Sequence, residues 1–317
     1  ETAILVFPLI WLGGMVTTAD AGMAVPDWPG TYGYNMFLYP IETWLFGPFD
    51  LMVEHGHRLL ASLSGLVAIV LVIATFRTES RNWVRWFSVA LLALIILQGL
   101  LGGFRVLMDA RTLAKIHGCV GPTFFASVTG FCVVTSRWWT GHSKTSSLVN
   151  AAVERGVKTK LLSRLAILLL LTSTTQLVFG ALVRHVAIDS PPRVFRGMVV
   201  LHVLVAVFLV IGTIIQWFMS RKPSVAGTGI RASVNTVAVL VICQFLLGLG
   251  TWVVKWGWPV WFVNYDFAAS FVVGEKTFLQ MNLITAHVAV GSLILAVWTS
   301  HARRCLRIDA LVRSESS

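Results

Sequence analysis

Four histidines recur at matching places in apolar segments of the chain, each with a small residue four positions later. The pairs are His57 with Ala61, His117 with Gly121, His202 with Ala206, and His287 with Gly291. Residues four apart share one face of a helix, so a flat group can approach the backbone beside each imidazole. One such histidine would usually be packed or hydrogen-bonded, but four in register favour coordination, because an unpaired ionisable group is costly inside a membrane.

The residues around these histidines indicate haem rather than a bare metal ion. A bare ion would need third and fourth ligands, and only Glu54 and Cys119 are near, the latter on a diverging face. Two histidines per bundle, surrounded by glycine and alanine, fit a haem held from both sides. We therefore expect one bis-histidine haem site in each half of the chain.

The first site has an asymmetric neighbourhood in the segment Glu54-His55-Gly56-His57-Arg58. Glu54 lies on the same helical face as His57. It is either an acidic residue in the first helical turn, favoured by the macrodipole, or a group that holds water or moves protons beside a haem. His55 is rotated away from His57, and we interpret it as a polar residue at the membrane interface.

Basic residues near the ends of the apolar segments are candidates for haem propionate contacts. They are Arg105, Arg184, Arg193 and Arg196. A guanidinium group forms strong paired hydrogen bonds with a carboxylate, but it also anchors a helix to lipid headgroups. Both interpretations stay open at this stage.

The elements that must position these residues are membrane-spanning helices. Hydrophobic residues make up 56% of the chain and charged residues only 12%, which excludes an ordinary soluble domain. Eight apolar runs approach the length of about 20 residues that a helix needs to cross a bilayer. They cover about 2–17, 53–75, 86–107, 113–135, 161–183, 197–219, 232–254 and 278–300. The prediction is an all-α integral membrane protein with eight transmembrane helices.

A repeat divides these helices into two sets of four. The third, fifth and seventh runs carry Q-x-x-x-G, whereas the first offers only Gly13 and Gly14. Together with the recurring histidines, this predicts two pseudo-symmetric four-helix bundles, covering 1–137 and 158–317 with a basic tail. Residues 138–157 are expected to form a solvated cytoplasmic linker.

The basic residues behind the formal charge of +11 are placed as expected for a membrane protein with a defined orientation. Most of the 25 Lys and Arg lie in the segments after the second, fourth and sixth runs and in the tail. By the positive-inside rule both termini are cytoplasmic, and the long loops 18–52 and 255–277 face outward. This distribution argues against a nucleic-acid partner. Aromatic residues in the outward loops either cover the haem clefts or form interfacial belts.

The four cysteines are Cys119, Cys132, Cys243 and Cys305. None forms a C-x-x-C pair or lies in an outward loop, so a disulfide framework is not expected. We interpret them as small buried apolar residues.

At this point the chain resembles the haem A synthase family over nearly its whole length. The resemblance rests on eight helices in two halves, on E-x-x-H-R at the outer start of the second helix, and on single histidines in helices four, six and eight. The segments 18–24 and Asp27-Trp28-Pro29 look like the loop after the first helix in that family. Part of the family has a cysteine pair in this loop, and its absence here excludes a thiol relay.

The resemblance implies an oxidoreductase that converts the C8 methyl group of haem O to a formyl group, yielding haem A for terminal oxidases. His57 and His117 would flank haem O in the N-terminal half, with Glu54 near the reacting edge. Haem b would bind His202 and His287 in the C-terminal half, for electron delivery or for structure. Further haem contacts are expected from Arg58, Arg105 and Arg184.

The resemblance also implies a bacterial or mitochondrial inner membrane, with the haem sites toward the outer side. Expected partners are membrane lipid, a haem O synthase and oxidase assembly factors, and a homo-oligomer is left open. Because oxidation needs an open iron site, either His57 or His117 is expected to be displaceable. Two alternatives use the same histidines: a non-catalytic di-haem b-type electron-transfer protein and a haem carrier.

Overall fold

The computed structural model of the chain describes residues 2–141, 159–187, 189–221, 229–262 and 264–316. Within these ranges its regular structure is helical, apart from an isolated bridge between Thr31 and Tyr34. The long helices are α1 (Thr2–Thr18), α2 (Phe49–Thr78), α3 (Asn82–Leu107), α4 (Arg111–Val134), α5 (Thr159–Arg184), α6 (Pro192–Ser220), α7 (Ile230–Trp256) and α8 (Phe278–Ser316). Each coincides with one of the apolar runs in the sequence.

Seven of these helices, α2 to α8, are long and apolar enough to cross a membrane, and α1 is a shorter apolar helix. Many large apolar side chains of the long helices are exposed, among them Leu66 on α2, Phe208 on α6 and Ile242 on α7. In a bilayer such surfaces face lipid tails rather than water. The prediction of an all-α integral membrane protein is confirmed.

Helix α8 is longer than the sequence predicted. Its apolar run ends near residue 300, yet the helix continues to Ser316 and includes what was expected to be a basic tail. The Arg303 guanidinium lies over the Phe87 ring, and that of Arg304 lies over the Trp138 ring. These cation–π contacts join charged residues to the bundle, so hydropathy alone places the end of the helix too early.

The predicted linker 138–157 lies mostly outside the described residues, as does His142. Its first residues belong to a short helix, Arg137–Thr140, which Ser136 caps by accepting a hydrogen bond from the Trp139 N–H. For the remainder of the segment, a solvated loop stays a prediction.

The helices pack as two rings of neighbours. In the N-terminal set, α1 and α3 each contact α2 and α4. In the C-terminal set, α5 and α7 each contact α6 and α8. Helices α2 and α4 are therefore diagonal to each other, as are α6 and α8. The sets meet where α8 packs against α1 and α4, and where α4 packs against α5.

Two long connections lie beside the helix ends that carry the histidines. The first follows α1 and contains the short helices Met36–Leu38 and Ile41–Leu45. The second follows α7, whose last residue Trp256 is followed by Gly257 with a positive φ of 83°. Only glycine adopts this conformation without strain, so Gly257 sets the point at which the chain leaves the helix.

The first connection packs against α3 through a tryptophan and a glycine. A Cβ atom at Gly103 would collide with the Trp28 ring. The Trp28 ring also lies against the Phe104 ring, with their centroids 6.1 Å apart. Gly99, one turn earlier on the same helix, has open space around it. The loop therefore rests on the backbone of α3 at one specific turn.

We expect Gly103→Ala to lower the free energy of unfolding by about 1–3 kcal/mol, because a methyl group there overpacks the Trp28 contact. Thermal unfolding in detergent measures the change. The matched control is Gly99→Ala, which replaces glycine in open space with a better helix former and should leave the melting temperature unchanged or raised. Equal melting temperatures for the two variants would contradict this packing.

Candidate functional site

The two N-terminal histidines pack against glycines of the preceding helices. A Cβ atom at Gly13 would lie 2.9 Å from His57 Cε1, and one at Gly102 would lie 2.9 Å from His117 Cε1. Close-packed interiors have no room for such an approach, so any side chain at these positions would displace the ring. Gly102 is the glycine of the first Q-x-x-x-G pattern. Its equivalent on α1 is Gly13.

The two C-terminal histidines repeat this arrangement. Cβ atoms at Gly180 and Gly248 would lie 3.3 Å and 3.2 Å from the Cε1 atoms of His202 and His287, respectively. The two imidazole rings approach each other across the bundle, with centroids 6.4 Å apart and planes inclined by 65°. Imidazole nitrogens bind metals at about 2 Å, so two rings on opposite sides of one iron have centroids roughly 6 Å apart.

The N-terminal pair also converges from diagonal helices. His57 is on α2 and His117 is on α4, and the two are close enough to interact electrostatically. The Nδ1 atom of His57 is buried without a hydrogen-bond partner among the described residues, as is that of His287. Buried imidazoles with free nitrogens fit a group that offers an axial coordination position, such as haem iron.

The glutamine of each Q-x-x-x-G pattern touches the histidine of the next helix, a role that the sequence analysis missed. Gln98 Nε2 donates to the main-chain oxygen of His117 at 3.0 Å, and His117 Nδ1 lies 3.1 Å from the main-chain oxygen of Gln98. Gln176 Nε2 lies 3.1 Å and 3.2 Å from the two ring nitrogens of His202. The regular Q-x-x-x-G spacing was the available signal for these contacts.

The small residues that follow the histidines do not simply leave gaps. Cβ atoms at Gly121 and Gly291 would lie 3.0 Å and 3.2 Å from the amide nitrogens of Gln98 and Gln244. The space predicted for a flat group beside these two imidazoles is therefore occupied by a glutamine side chain. Sequence spacing could show that the residue is small, but not which neighbour fills the space.

Glu54 is buried in the second turn of α2, with 3% of its surface exposed, so the interpretation as a first-turn acidic residue is wrong. Its Oε1 accepts a hydrogen bond from Arg58 at 2.8 Å, and its Oε2 accepts one from the Val25 N–H at 2.9 Å. The carboxylate thus joins α2 to the connection that follows α1, one turn from His57.

Arg58 extends this connection. Its guanidinium also donates to the main-chain oxygens of Val25, Asp27 and Gly30 at 2.7, 2.7 and 3.0 Å. These bonds direct the group toward the loop. A direct contact between Arg58 and haem stays a prediction, and the role that the geometry supports is to hold the loop over α2.

The loop has its own polar anchor in Asp27. Its carboxylate accepts hydrogen bonds from the Tyr32 and Gly33 N–H groups at 2.8 and 2.9 Å. Burial alone would raise the pKa of Asp27, but these two backbone donors, with Arg58 nearby, lower it below its ordinary value. The turn after Trp28 is therefore held by a charged carboxylate at neutral pH.

His55 is fully buried and lies under the loop, and its position at the membrane interface stays a prediction. Its Nδ1 lies 3.1 Å from Thr31 Oγ1, and its ring lies against those of Tyr39 and Trp44 at 5.4 and 5.0 Å. The loop covers this side of α2 with a polar contact and two aromatic rings, which local sequence spacing could not reveal.

Two predicted propionate contacts, Arg105 and Arg184, lie in the last turns of α3 and α5 rather than beyond them. Arg105 donates to the Gly22 main-chain oxygen at 2.8 Å and is within electrostatic range of both N-terminal histidines. Arg184 donates to the Gly14 oxygen and to Thr18 Oγ1 at 2.7 and 2.8 Å. Arg184 therefore joins α5 to α1, across the contact between the two helix sets.

Two other predicted cations, Arg193 and Arg196, are exposed on the first turns of α6. His185, which follows α5 directly, lies near Gly118 of α4. Burial, together with the positive charges of Arg184 and Arg105, lowers the pKa of His185 to about 4. His185 is therefore neutral at physiological pH.

His301 lies far from these sites along α8, in a buried polar network. Its Nδ1 contacts Ser233 Oγ and its Nε2 contacts Gln216 Nε2, both at 2.8 Å, and Cys305 Sγ is 3.4 Å from Nε2. Of the four cysteines, all free thiols, only Cys305 is buried. The interpretation of the cysteines as buried residues is therefore wrong for Cys132 and Cys243, which are exposed.

Among the described residues, no group of three or more His, Cys, Asp or Glu side chains could hold a bare metal ion. What converges instead is two pairs of imidazoles on diagonal helices, each backed by glycine. This donor set suits an iron porphyrin with two axial histidines, and a carboxylate and guanidinium groups flank the N-terminal pair.

Comparison with known proteins matches the chain to one family model and to individual relatives. Residues 1–190 match the family model COX15-CtaA, described as cytochrome oxidase assembly protein. The chain is 28% identical over 153 residues to the Protoheme IX farnesyltransferase of Halobacterium salinarum, covering 48% of this chain and 30% of that protein. It is also 28% identical over 121 residues to the Heme A synthase of an Exiguobacterium species, covering 37% of this chain and 38% of that protein.

The chain thus spans about a third of the length of the curated relatives that it matches. The family model, in contrast, covers more than half of the chain, including α1 to α5, His57 and His117. On this match, the chain belongs to the cytochrome oxidase assembly protein family COX15-CtaA.

Proposed function

We propose that the chain is a haem A synthase, which oxidises the C8 methyl group of haem O to the formyl group of haem A for terminal oxidases. The observation that carries this proposal is the approach of His202 and His287 from diagonal helices to a centroid distance of 6.4 Å, together with the matching glycine contacts of His57 and His117. Family membership and the Heme A synthase relative support the same role.

The architecture proposed for this function has eight transmembrane helices in two pseudo-symmetric four-helix bundles, within 1–137 and 158–317. The ring of contacts within each set of helices supports it, as does the recurrence of glycine, glutamine and histidine. Both termini lie on the cytoplasmic or matrix side and the histidines toward the outer side of a bacterial or mitochondrial inner membrane, because the basic segments lie at the other helix ends.

Each half is proposed to bind one haem. In the N-terminal half, His57 and His117 bind the substrate haem O from opposite faces, with Arg105 available to a propionate. In the C-terminal half, His202 and His287 would hold haem b, with Arg184 available to a propionate. Bound haem supplies iron-centred oxidation of a C–H bond and electron transfer, and the apolar bundle excludes water.

Glu54 is the catalytic group proposed outside the iron ligands. It is one turn from His57, it is buried, and its carboxylate is oriented by Arg58 and the Val25 N–H. A carboxylate held in this way can accept a proton and pass it to the outward loop. Arg58 acts as a positioning residue, because its other donors hold the loop.

The relative named Protoheme IX farnesyltransferase supports a farnesylated haem as the substrate, since a stretch of that protein resembles this chain. A haem O synthase is therefore the proposed donor of the substrate. Oxidase assembly factors are proposed to receive the product, and membrane lipid surrounds the helices. The exposed apolar surfaces leave room for a homo-oligomer.

Extracted pigment tests the reaction. We expect the purified chain, expressed with a source of haem O, to contain haem A or hydroxylated haem O in addition to haem b. Liquid chromatography with mass detection identifies each pigment. Haem b as the sole pigment under these conditions would contradict the proposal and favour the electron-transfer protein or the haem carrier.

Single substitution of the four histidines tests the division between the halves. We expect His202→Ala and His287→Ala to abolish the b-type spectrum of the C-terminal site, because each removes one of two firm ligands. His57→Ala and His117→Ala should leave that spectrum but abolish haem A. Equal spectral loss from all four variants, with no difference in product, would argue against separate roles.

Substitution of the buried ion pair tests Glu54. We expect Glu54→Gln to destabilise the loop, since Arg58 then keeps a buried charge without its partner, at a cost of about 3–5 kcal/mol. The double variant Glu54→Gln/Arg58→Gln removes both charges but also the Arg58 bonds to Val25, Asp27 and Gly30, so it should recover only part of this stability. If Glu54 moves protons, however, haem A formation stays at least roughly a hundredfold below that of the parent chain in both variants.

Hydrogen exchange of residues 19–48 reports the stability of the loop, and haem A yield reports the reaction. Recovery of both in the double variant would show that Glu54 acts only in holding the loop.

A further inference from the structure

Three of the four histidines have a glutamine side chain beside them, and one does not. Counting four residues back from the contacted glycine gives Gln98 for His117, Gln176 for His202 and Gln244 for His287. The amide nitrogen lies 3.4 Å from His117 Nε2 and 3.5 Å from His287 Nε2, and closer to both ring nitrogens of His202.

The equivalent position on α1 is Leu9, four residues before Gly13. A leucine side chain has no polar atom with which to hold an imidazole. The contacts that α1 makes with His57 on this side therefore come from its backbone, at Gly13 and at the main chain of Leu9, and the Nδ1 atom of His57 has no side-chain partner in the described part of the chain.

His117 differs in its backbone as well. The Gln98 amide also donates to the main-chain oxygen of His117, so the turn of α4 that carries the ring is joined to α3. Movement of the His117 ring away from its position would break contacts to the side chain and to the main chain of Gln98. Each such hydrogen bond adds to the free-energy cost of that movement.

The turn of α2 that carries His57 is instead connected to the outward loop. Glu54 and Arg58 lie three residues before and one residue after His57, and both bond to main-chain atoms of the loop between Val25 and Gly30. A shift of this loop would therefore move the turn that carries His57, whereas His117 is held by a neighbouring helix.

From these contacts we propose that His57 is the axial ligand that leaves the iron in the N-terminal half, and that Gln98 is a positioning residue that keeps His117 bound. The proposal rests on the proposed function, in which this half holds a reacting haem. An iron with two firm histidine ligands transfers electrons but has no open position, so one ligand must leave for oxidation to occur. Leu9 is the position at which the chain provides this freedom.

The test installs the missing amide. Leu9→Gln places a glutamine beside His57 at the position equivalent to Gln98, with little change in side-chain volume. The full chain is purified, loaded with haem b and reduced, and carbon monoxide binding is followed by stopped-flow absorbance. Carbon monoxide binds only where an axial ligand has left, so its rate reports ligand release without relying on turnover.

We expect Leu9→Gln to slow carbon monoxide binding to the N-terminal haem about tenfold, the effect of one added hydrogen bond. Leu5→Gln, one turn away on α1, is the matched control and should leave the rate unchanged. Gln98→Leu is expected to accelerate binding, because both faces of the iron then have a loosely held ligand. Gln176→Leu, in the other half, should not affect this phase.

A rate in Leu9→Gln within about twofold of the parent would overturn the assignment, since one hydrogen bond changes a rate by more than this. Acceleration by Gln98→Leu combined with an unchanged Leu9→Gln rate would identify His117 as the leaving ligand. A chain that takes up no haem in its N-terminal half would instead overturn the proposed function itself. The absorbance spectrum before addition of carbon monoxide distinguishes that failure from the others.

Discussion

The contact between an imidazole edge and a glycine backbone occurs four times in this molecule, and the arrangement of both halves depends on it. Because each glycine lies on the helix before its histidine, the contact fixes how closely two consecutive helices approach and at what depth. Helices α2 and α4, like α6 and α8, are then diagonal to each other, so the rings extend toward the middle of the bundle. Any side chain at the glycine position would displace the ring.

A second constraint acts at the N-terminal end of α2, where a buried ion pair holds a loop that has little regular structure. Glu54 and Arg58 bond to each other and to main-chain groups of the loop, which satisfies buried polar atoms that water does not reach. A buried ion pair often adds less to stability than apolar residues of similar size would. The Glu54–Arg58 pair instead positions the loop, because it joins the loop to the turn that carries His57.

The repeat gives the two halves a common framework, and their differences indicate separate roles. Both halves have the glycine contact and two facing histidines. Among the described residues, only the N-terminal half has a buried carboxylate beside its histidine pair. In the sequence, only α1 lacks the glutamine of the other odd-numbered helices. A site that must open for chemistry needs a ligand that is held less firmly than the others. Under the proposed function, His202 and His287 would hold the haem of the C-terminal half more firmly than the N-terminal pair holds its substrate.

Local periodicity in the sequence determined the helical fold, the eight apolar segments and the positions of the four histidines, because hydropathy and i, i+4 spacing are properties of neighbouring residues. The tertiary structure alone decided which atoms meet. Arg58 bonds to residues about 30 positions away, Gln98 enters the space beside Gly121, and Arg303 contacts Phe87 where α8 continues beyond its apolar run. These contacts join separate elements, so no local pattern encodes them, and only the packing of the helices brings the partners together.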